Sequence, residues 1–318
     1  MKKFFIIYVT TLHFFLHSCS LNIPNDEEPS VNRPAFSMDS SFIPRKNIDE
    51  PVNICCFGSS WFMNTWWYLN KMMDSVGIKA NLTCFFVGGA GFNQWIHYYN
   101  NNELLFYWQS SNGSDWTTGQ GTFSQIINNK WDIIAFQQGA YQSIKWDEWI
   151  HYEDLLNIIL SNENKDIIIA FNSTWTPPIH GNLSPYQNNE EGQRLWQINN
   201  NINTIDFLRL SNLKLVAPNG ATMWSLRHDP DLNTYGDLAT DSIHPDNGLP
   251  MYALAGTFFA TYITPMYHIP VDNVDWIPDV STPQAPINNG CWQSINNEQR
   301  DKIHEIINKS LQNPFGFN

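Results

Sequence analysis

The sequence predicts an α/β domain built on a parallel sheet with helices on both faces. Short, mostly apolar runs at residues 52–57, 82–87 and 133–136 have the length and composition of strands buried on both sides. Between them lie longer stretches whose apolar residues step by three and four, as helices with one buried face require. Strand and helix keep alternating for most of the chain, which implies parallel neighbours joined by crossovers. With 318 residues, 42% hydrophobic and 15% charged, the chain has the length and composition for one large core.

The first strand, 52–57, ends at Gly58, and Phe62, Trp66, Leu69, Met73 and Val76 then mark one helix face that stops at Gly77. The second strand, 82–87, runs into Gly88-Gly89-Ala90-Gly91. Residues 92–130, rich in Asn, Ser, Gly and aromatics, read as an insertion near the sheet edge. The third strand, 133–136, ends in Gln137-Gln138-Gly139 and leads to a helix at 147–160. A fourth strand at 166–171, a helix at 190–208, a fifth strand at 213–217 and a helix at 250–263 follow. Pro265, Pro270, Pro278, Pro283 and Pro286 mark 264–293 as surface loop, and a helix at 296–311 ends the pattern.

The start of the chain reads differently. Lys2 and Lys3 precede an apolar stretch, 4–16, that is too short to span a bilayer as a stable helix. It ends in Leu16-His17-Ser18-Cys19, which resembles the lipobox of bacterial lipoprotein signals, with Cys19 as the residue to be lipidated. Residues 1–18 are therefore expected to be a signal peptide, and 19–50, dotted with Pro24, Pro29, Pro34 and Pro44, a flexible tether, with packing of 36–43 onto the domain as the alternative for that stretch. The domain proper is expected at 51–318. This places the protein in the cell envelope, held to a membrane by an N-terminal lipid; the alternative is an ordinary cleaved secretory signal. A net charge of -13 argues against nucleic-acid partners. Cys55, Cys56, Cys84 and Cys291 match no zinc or redox spacing and read mainly as buried thiols, with a Cys56–Cys84 bridge left open.

In an open parallel sheet, reactive groups collect beyond the carboxyl ends of the strands, so the turns there carry the candidate chemistry. Gly58-Ser59-Ser60 places a serine on the sharp turn from strand to helix. Taken alone such a turn is usually a helix cap, and Phe62 stands where a G-x-S-x-G elbow needs its second glycine. The 88–91 glycine turn lets backbone N–H groups approach a ligand, and the Gln138 amide can donate to an oxyanion. Asp241-Ser242-Ile243-His244 sets a carboxylate three residues before an imidazole, close enough to fix its tautomer and leave the other nitrogen free to take a proton.

Together these turns resemble the SGNH (GDSL-like) hydrolase superfamily over roughly residues 52–263. The likeness is greatest to a branch of bacterial envelope proteins whose first block reads G-N-S-F-S. That branch has a third block near Trp131-Asp132 and Gln137-Gln138, and a phrase like Val216-Ala217-Pro218-Asn219-Gly220 before Asp-x-x-His. The resemblance implies a three-layer α/β/α domain with a flavodoxin-like parallel sheet. It also implies a serine esterase with Ser60 as nucleophile, His244 as base and Asp241 as its orienting carboxylate. The Ser60 and Gly89 backbone N–H groups, with the Gln138 side chain, would form the oxyanion hole. Two departures stand out: Ser59 replaces the usual Asp or Asn, and Gln138 takes the place of an Asn in the third block. Such an enzyme needs no metal and no cofactor.

Trp61, Trp95, Trp175 and Trp224 fall where loops should border the site, which leaves two readings: burial in the core, as for most of the tryptophans, or stacking on sugar faces, which points to acylated carbohydrates or other small esters as substrates. The remaining histidines show no H-E-x-x-H spacing, and Asp229, Asp231, Asn233 and Asp237 lack the glycine of a calcium loop and read as a solvated acidic loop. The competing reading is a catalytically inactive glycan-binding lipoprotein of the same fold.

Overall fold

In chain order the domain runs β1 (Val52–Gly58), α1 (Ser60–Trp66), α2 (Leu69–Ser75), β2 (Ala80–Phe86), α3 (Phe92–Asn101), β3 (Leu104–Ser111), β4 (Thr117–Thr122), α4 (Phe123–Ile127) and β5 (Ile133–Phe136). It continues with α5 (Tyr152–Leu160), β6 (Ile168–Asn172), α6 (Glu190–Leu210), β7 (Val216–Ala217) and α7 (Asn219–His228). The last elements are β8 (Asn247–Gly248), α8 (Leu249–Phe258), α9 (Thr264–Tyr267), β9 (Trp292–Gln293) and α10 (Asn297–Gln312). This computed structural model describes residues 36–161, 166–233, 237–285 and 290–317.

Five strands lie parallel in the order β2-β1-β5-β6-β7, the flavodoxin-like arrangement, with helices on both faces. The α/β class is therefore as the sequence indicates, but the whole sheet is mixed. The 92–130 insertion contributes the antiparallel pair β3 and β4, which widens the sheet to seven strands beyond β2.

Side-chain alternation explains the two layers. Phe57, Phe136 and Phe171 are register partners across β1, β5 and β6 and point to one face. There they meet Phe92 of α3, Trp149 and Phe207 of α6 in a continuous aromatic cluster. The neighbouring register row, Cys56, Ala135 and Ala170, faces the other way. Its side chains are small, so the α1 and α8 helices can seat closely against the sheet. All four cysteines at positions 55, 56, 84 and 291 are free. Burial pushes the Cys55 and Cys56 thiols well above their usual range, so they pack as small neutral fillers.

Several elements differ from expectation for physical reasons. The helix expected from Phe62 to Val76 is two helices. The Trp67 carbonyl accepts from the Trp116 indole at 3.0 Å while its own indole donates to the Pro283 carbonyl, and these bonds occupy the junction between α1 and α2. The α7 helix is absent from the sequence reading because it is buried on nearly every side, from Asn219 to Arg227, and so has no amphipathic period to detect. Residues 250–263 pass from α8 into a π-helical stretch, Phe259–Ile263, rather than continuing as one α-helix.

The start of the domain is also corrected. Residues 1–18 and 19–35, including Cys19, lie outside the described residues, but 37–50 are part of the domain and not a tether. Asp39 donates its N–H to the Lys214 carbonyl and Lys46 to that of Met266, each at 2.9 Å. Lys46 Nζ pairs with Asp132 at 2.7 Å, and Ile43 is 5% exposed within the main core. Replacing Ile43 by Ala is expected to cost about 2–4 kcal/mol in urea unfolding. A loss below about 0.5 kcal/mol, typical of a surface position, would return this segment to the tether.

Candidate active site

The first turn is shaped by Gly58. A Cβ there would lie 2.6 Å from Phe62 Cβ, so only glycine lets α1 fold back directly over the end of β1. Ser59 is extended at the N-cap, and Ser60 opens α1, half-buried, with a backbone N–H that has no acceptor within the helix. The Asn64 amide reaches back to the Ser60 carbonyl at 3.4 Å.

The 237–246 turn meets this serine from much later in the chain. Asp241 Oδ1 accepts the N–H groups of Ile243 at 2.9 Å and His244 at 2.6 Å, with Ser242 at φ +69° completing the tight bend. Asp241 Oδ2 lies 2.8 Å from His244 Nδ1, and His244 Nε2 lies 3.0 Å from Ser60 Oγ, across 184 positions of sequence. A carboxylate facing Nδ1 keeps the proton there, so Nε2 presents its lone pair to the serine hydroxyl. The Asp241 and His244 side chains are 13% and 14% exposed. Burial pushes the Asp241 carboxyl up, but the bonds from the His244 ring and from the His244 and Ile243 N–H groups outweigh it and hold the carboxyl below its usual range.

A bond from the Val87 N–H to the Gly58 carbonyl extends the β1–β2 pairing and brings the glycine turn beside Ser60. Gly89 is exposed, at φ +70°, a conformation that suits glycine. Its carbonyl accepts from Gln142 at 2.8 Å.

Gln138 requires a correction. Expected as an oxyanion donor, it is instead fully buried and committed to its surroundings. Its Oε1 accepts from the N–H groups of Phe92 at 3.2 Å and Gly139 at 3.0 Å, and its Nε2 donates to the Glu148 carbonyl at 2.8 Å. Gly91 accommodates it, since a Cβ there would come within 2.7 Å of Gln138 Oε1. The amide thus fastens the start of α3 to the loop after β5.

Of the two readings of the tryptophans, core burial holds and sugar stacking does not. Trp61 and Trp175 stack on each other at 5.2 Å, Trp95 packs among Phe57, Tyr98 and Phe123, and Trp224 stacks on His228. All four are at most 8% exposed, so none offers a free ring face to a sugar. Nearby, half-buried Tyr141 is in contact with Trp61, and Gln142 bonds to the glycine turn. Neither carries a motif; only their distance past the third strand could have drawn attention to them. The acidic loop also has structural work: Asp229 and Asp231 hold Lys302, and Asp237 forms a buried pair with Arg227 at 2.7 Å. Among the described residues, no group of three or more His, Cys, Asp or Glu side chains is placed to hold a metal ion. A cleft of about 740 Å³ beside Arg45, Leu215 and His268 and another of about 570 Å³ beside Lys46 and Asp132 lie where strands begin, at the rim opposite Ser60.

No protein-family model and no curated protein matches the chain. Among solved structures, it is similar to a DUF4886 family protein from Bacteroides uniformis, with a TM-score of 0.72 and 17% identity over 85% of this chain and 98% of that one. Likeness at that level shows the fold. A proposed acylhydrolase from Bacteroides fragilis matches with a TM-score of 0.40 and 10% identity, over 67% of this chain and 86% of that one. A gut microbial diltiazem-metabolizing enzyme matches with a TM-score of 0.42 and 13% identity, over 69% of this chain and 48% of that one. Both lie too far away to bear on chemistry.

Because the folded Asp241 carboxyl titrates below its unfolded value, its contribution to stability is complete above about pH 4 and fades as pH falls through the lower, folded value. Urea unfolding of wild type and Asp241→Asn between about pH 6 and pH 3 should show the stability gap shrinking on acidification. A gap that stays constant, or widens, would contradict the assignment.

Proposed function

We propose that the protein is a serine esterase working through an acyl-enzyme, as the resemblance to SGNH hydrolases implies. One observation carries the reading: a single imidazole lies within hydrogen-bond distance of both a strand-end serine and a buried carboxylate. His244 Nε2 takes the proton as Ser60 Oγ attacks the ester carbonyl, and Asp241 stabilises the resulting imidazolium. The N–H groups of Ser60 and Gly89 supply the oxyanion donors in this scheme; the Gln138 side chain is not assigned to it. His244 then returns the proton to the leaving alcohol, and a water activated at the same nitrogen releases the acid.

For substrate, we propose short acyl groups, acetyl foremost, on a polar carrier such as a glycan. Support comes from the turns after β2 and β5, where Gly88 and Gly89 are exposed and Gln142 donates to the Gly89 carbonyl, a polar stretch of chain. A long acyl chain would need an apolar channel there. Lipidation at Cys19 and an envelope location belong to the same proposal, and mass analysis of the mature N-terminus tests them.

Hydrolysis of p-nitrophenyl acetate and acetylated sugars by wild type, with kcat/KM falling on the order of 10⁴- to 10⁶-fold in Ser60→Ala and His244→Ala, is the expected result. Equal rates in wild type and Ser60→Ala would remove Ser60 as nucleophile. Binding of the sugars without turnover by wild type would favour the inactive glycan-binding reading.

A further inference from the structure

Two residues past His244, Asp246 is 0% exposed, and its carboxylate is ringed by neutral donors. Oδ1 accepts the Thr240 N–H at 2.9 Å, the Thr240 hydroxyl at 2.7 Å and the Cys291 N–H at 3.1 Å, while Oδ2 accepts from Gln293 Nε2 at 2.6 Å. The Asp246 N–H donates to the Leu238 carbonyl at 2.8 Å. Outside this ring, Thr240 Oγ1 accepts from the Cys291 N–H at 2.8 Å, and the Asn247 N–H donates to the Cys291 carbonyl at 3.0 Å. One carboxylate therefore closes both ends of the turn that carries Asp241 and His244 and fastens β9 across its base. Burying a carboxylate is expensive, and filling the same space with an apolar side chain would cost less if packing were its only task.

Resting on the esterase reading above, we infer that Asp246 is a positioning residue for that reaction. It fixes the 240–246 backbone so that the His244 ring meets Ser60, and β9 forms the outer half of the clamp. A displacement of about 1 Å in such a group costs on the order of 10²-fold in rate, which is the scale on which the clamp acts.

The surroundings of Asp246 also supply a discriminating variant. Gln293 Oε1 is buried without a hydrogen-bond partner. An asparagine at 246 would keep Oδ1 for the three donors from Thr240 and Cys291. Its Nδ2–H would face that oxygen once the Gln293 amide turns over. Alanine keeps none of this.

The test is steady-state hydrolysis of p-nitrophenyl acetate by wild type, Asp246→Ala, Asp246→Asn, Thr240→Val and Ser60→Ala, each with a thermal melt. Asp246→Ala is expected to fold, with kcat reduced about 10- to 100-fold and KM within about twofold, and Asp246→Asn to stay within about threefold of wild type. Folded Asp246→Ala with unchanged kcat would overturn the inference, as would Asp246→Asn losing as much rate as Asp246→Ala. Should Asp246→Ala fail to fold, Thr240→Val decides: Thr240 is exposed, and the loss of its hydroxyl's bonds to Oδ1 and from the Cys291 N–H should lower kcat several-fold, whereas an unchanged kcat overturns the clamp. Wild type inactive on every ester would remove the esterase reading and this inference together. Activity that is lost in Ser60→Ala but intact in Asp246→Ala would remove this inference alone.

Discussion

The hydrogen bond between Ser60 and His244 joins the first strand's turn to a loop 184 positions later, and its 3.0 Å length sets the tolerance for the rest of the domain. On one side the constraint is steric. β1 sits in the middle of the sheet, and Gly58 lets α1 turn back so closely that Ser60 stays at the rim. On the other side the constraint is polar. Asp241 folds the backbone of its own turn around one oxygen and holds the imidazole with the other. Arg227, paired with Asp237 and donating to the Thr176 carbonyl at 2.7 Å, anchors the approach to that turn. Two polar networks and a glycine thus do what packing alone cannot, since apolar contacts lack direction.

The division of the sheet into an aromatic face and a small-residue face follows from the same need. Strands buried on both sides read as largely apolar runs, so β1, β2, β5 and β6 were visible in the sequence, give or take two residues at each end. What the sequence did not reveal was structure without a periodic signal. The α7 helix is buried almost all round, β7 has two residues, and β3 and β4 are built from mixed polar and aromatic residues that resemble loop. The break at Trp67 depends on Trp116 and Pro283, partners that no local pattern connects to it.

The candidate site divides along the same line. Ser60, Asp241 and His244 were legible because each stands in a short local motif at the end of a strand or the start of a helix. Gln138 was misread because its chemistry, an amide able to donate, is evident in the sequence while its partners, Phe92, Gly139 and Glu148, are set by tertiary structure. The sugar-stacking reading of the tryptophans fails for the complementary reason. Position after a strand suggested an open ring face, but Trp61 and Trp175 cover each other. Asp246 carried no signal beyond its closeness to His244, because a buried carboxylate and a solvated one look alike in sequence.

These contacts make a hydroxyl with a base at hydrogen-bond distance, which is a chemical property and can be probed without knowing the natural substrate. The most direct measurement is treatment of the intact protein with a fluorophosphonate, followed by peptide mapping of the adduct by mass spectrometry. One adduct, on the peptide bearing Ser60 and absent from His244→Ala, is the result that fits a serine activated by this imidazole. No adduct, or an adduct on another serine with Ser60 untouched, would contradict it.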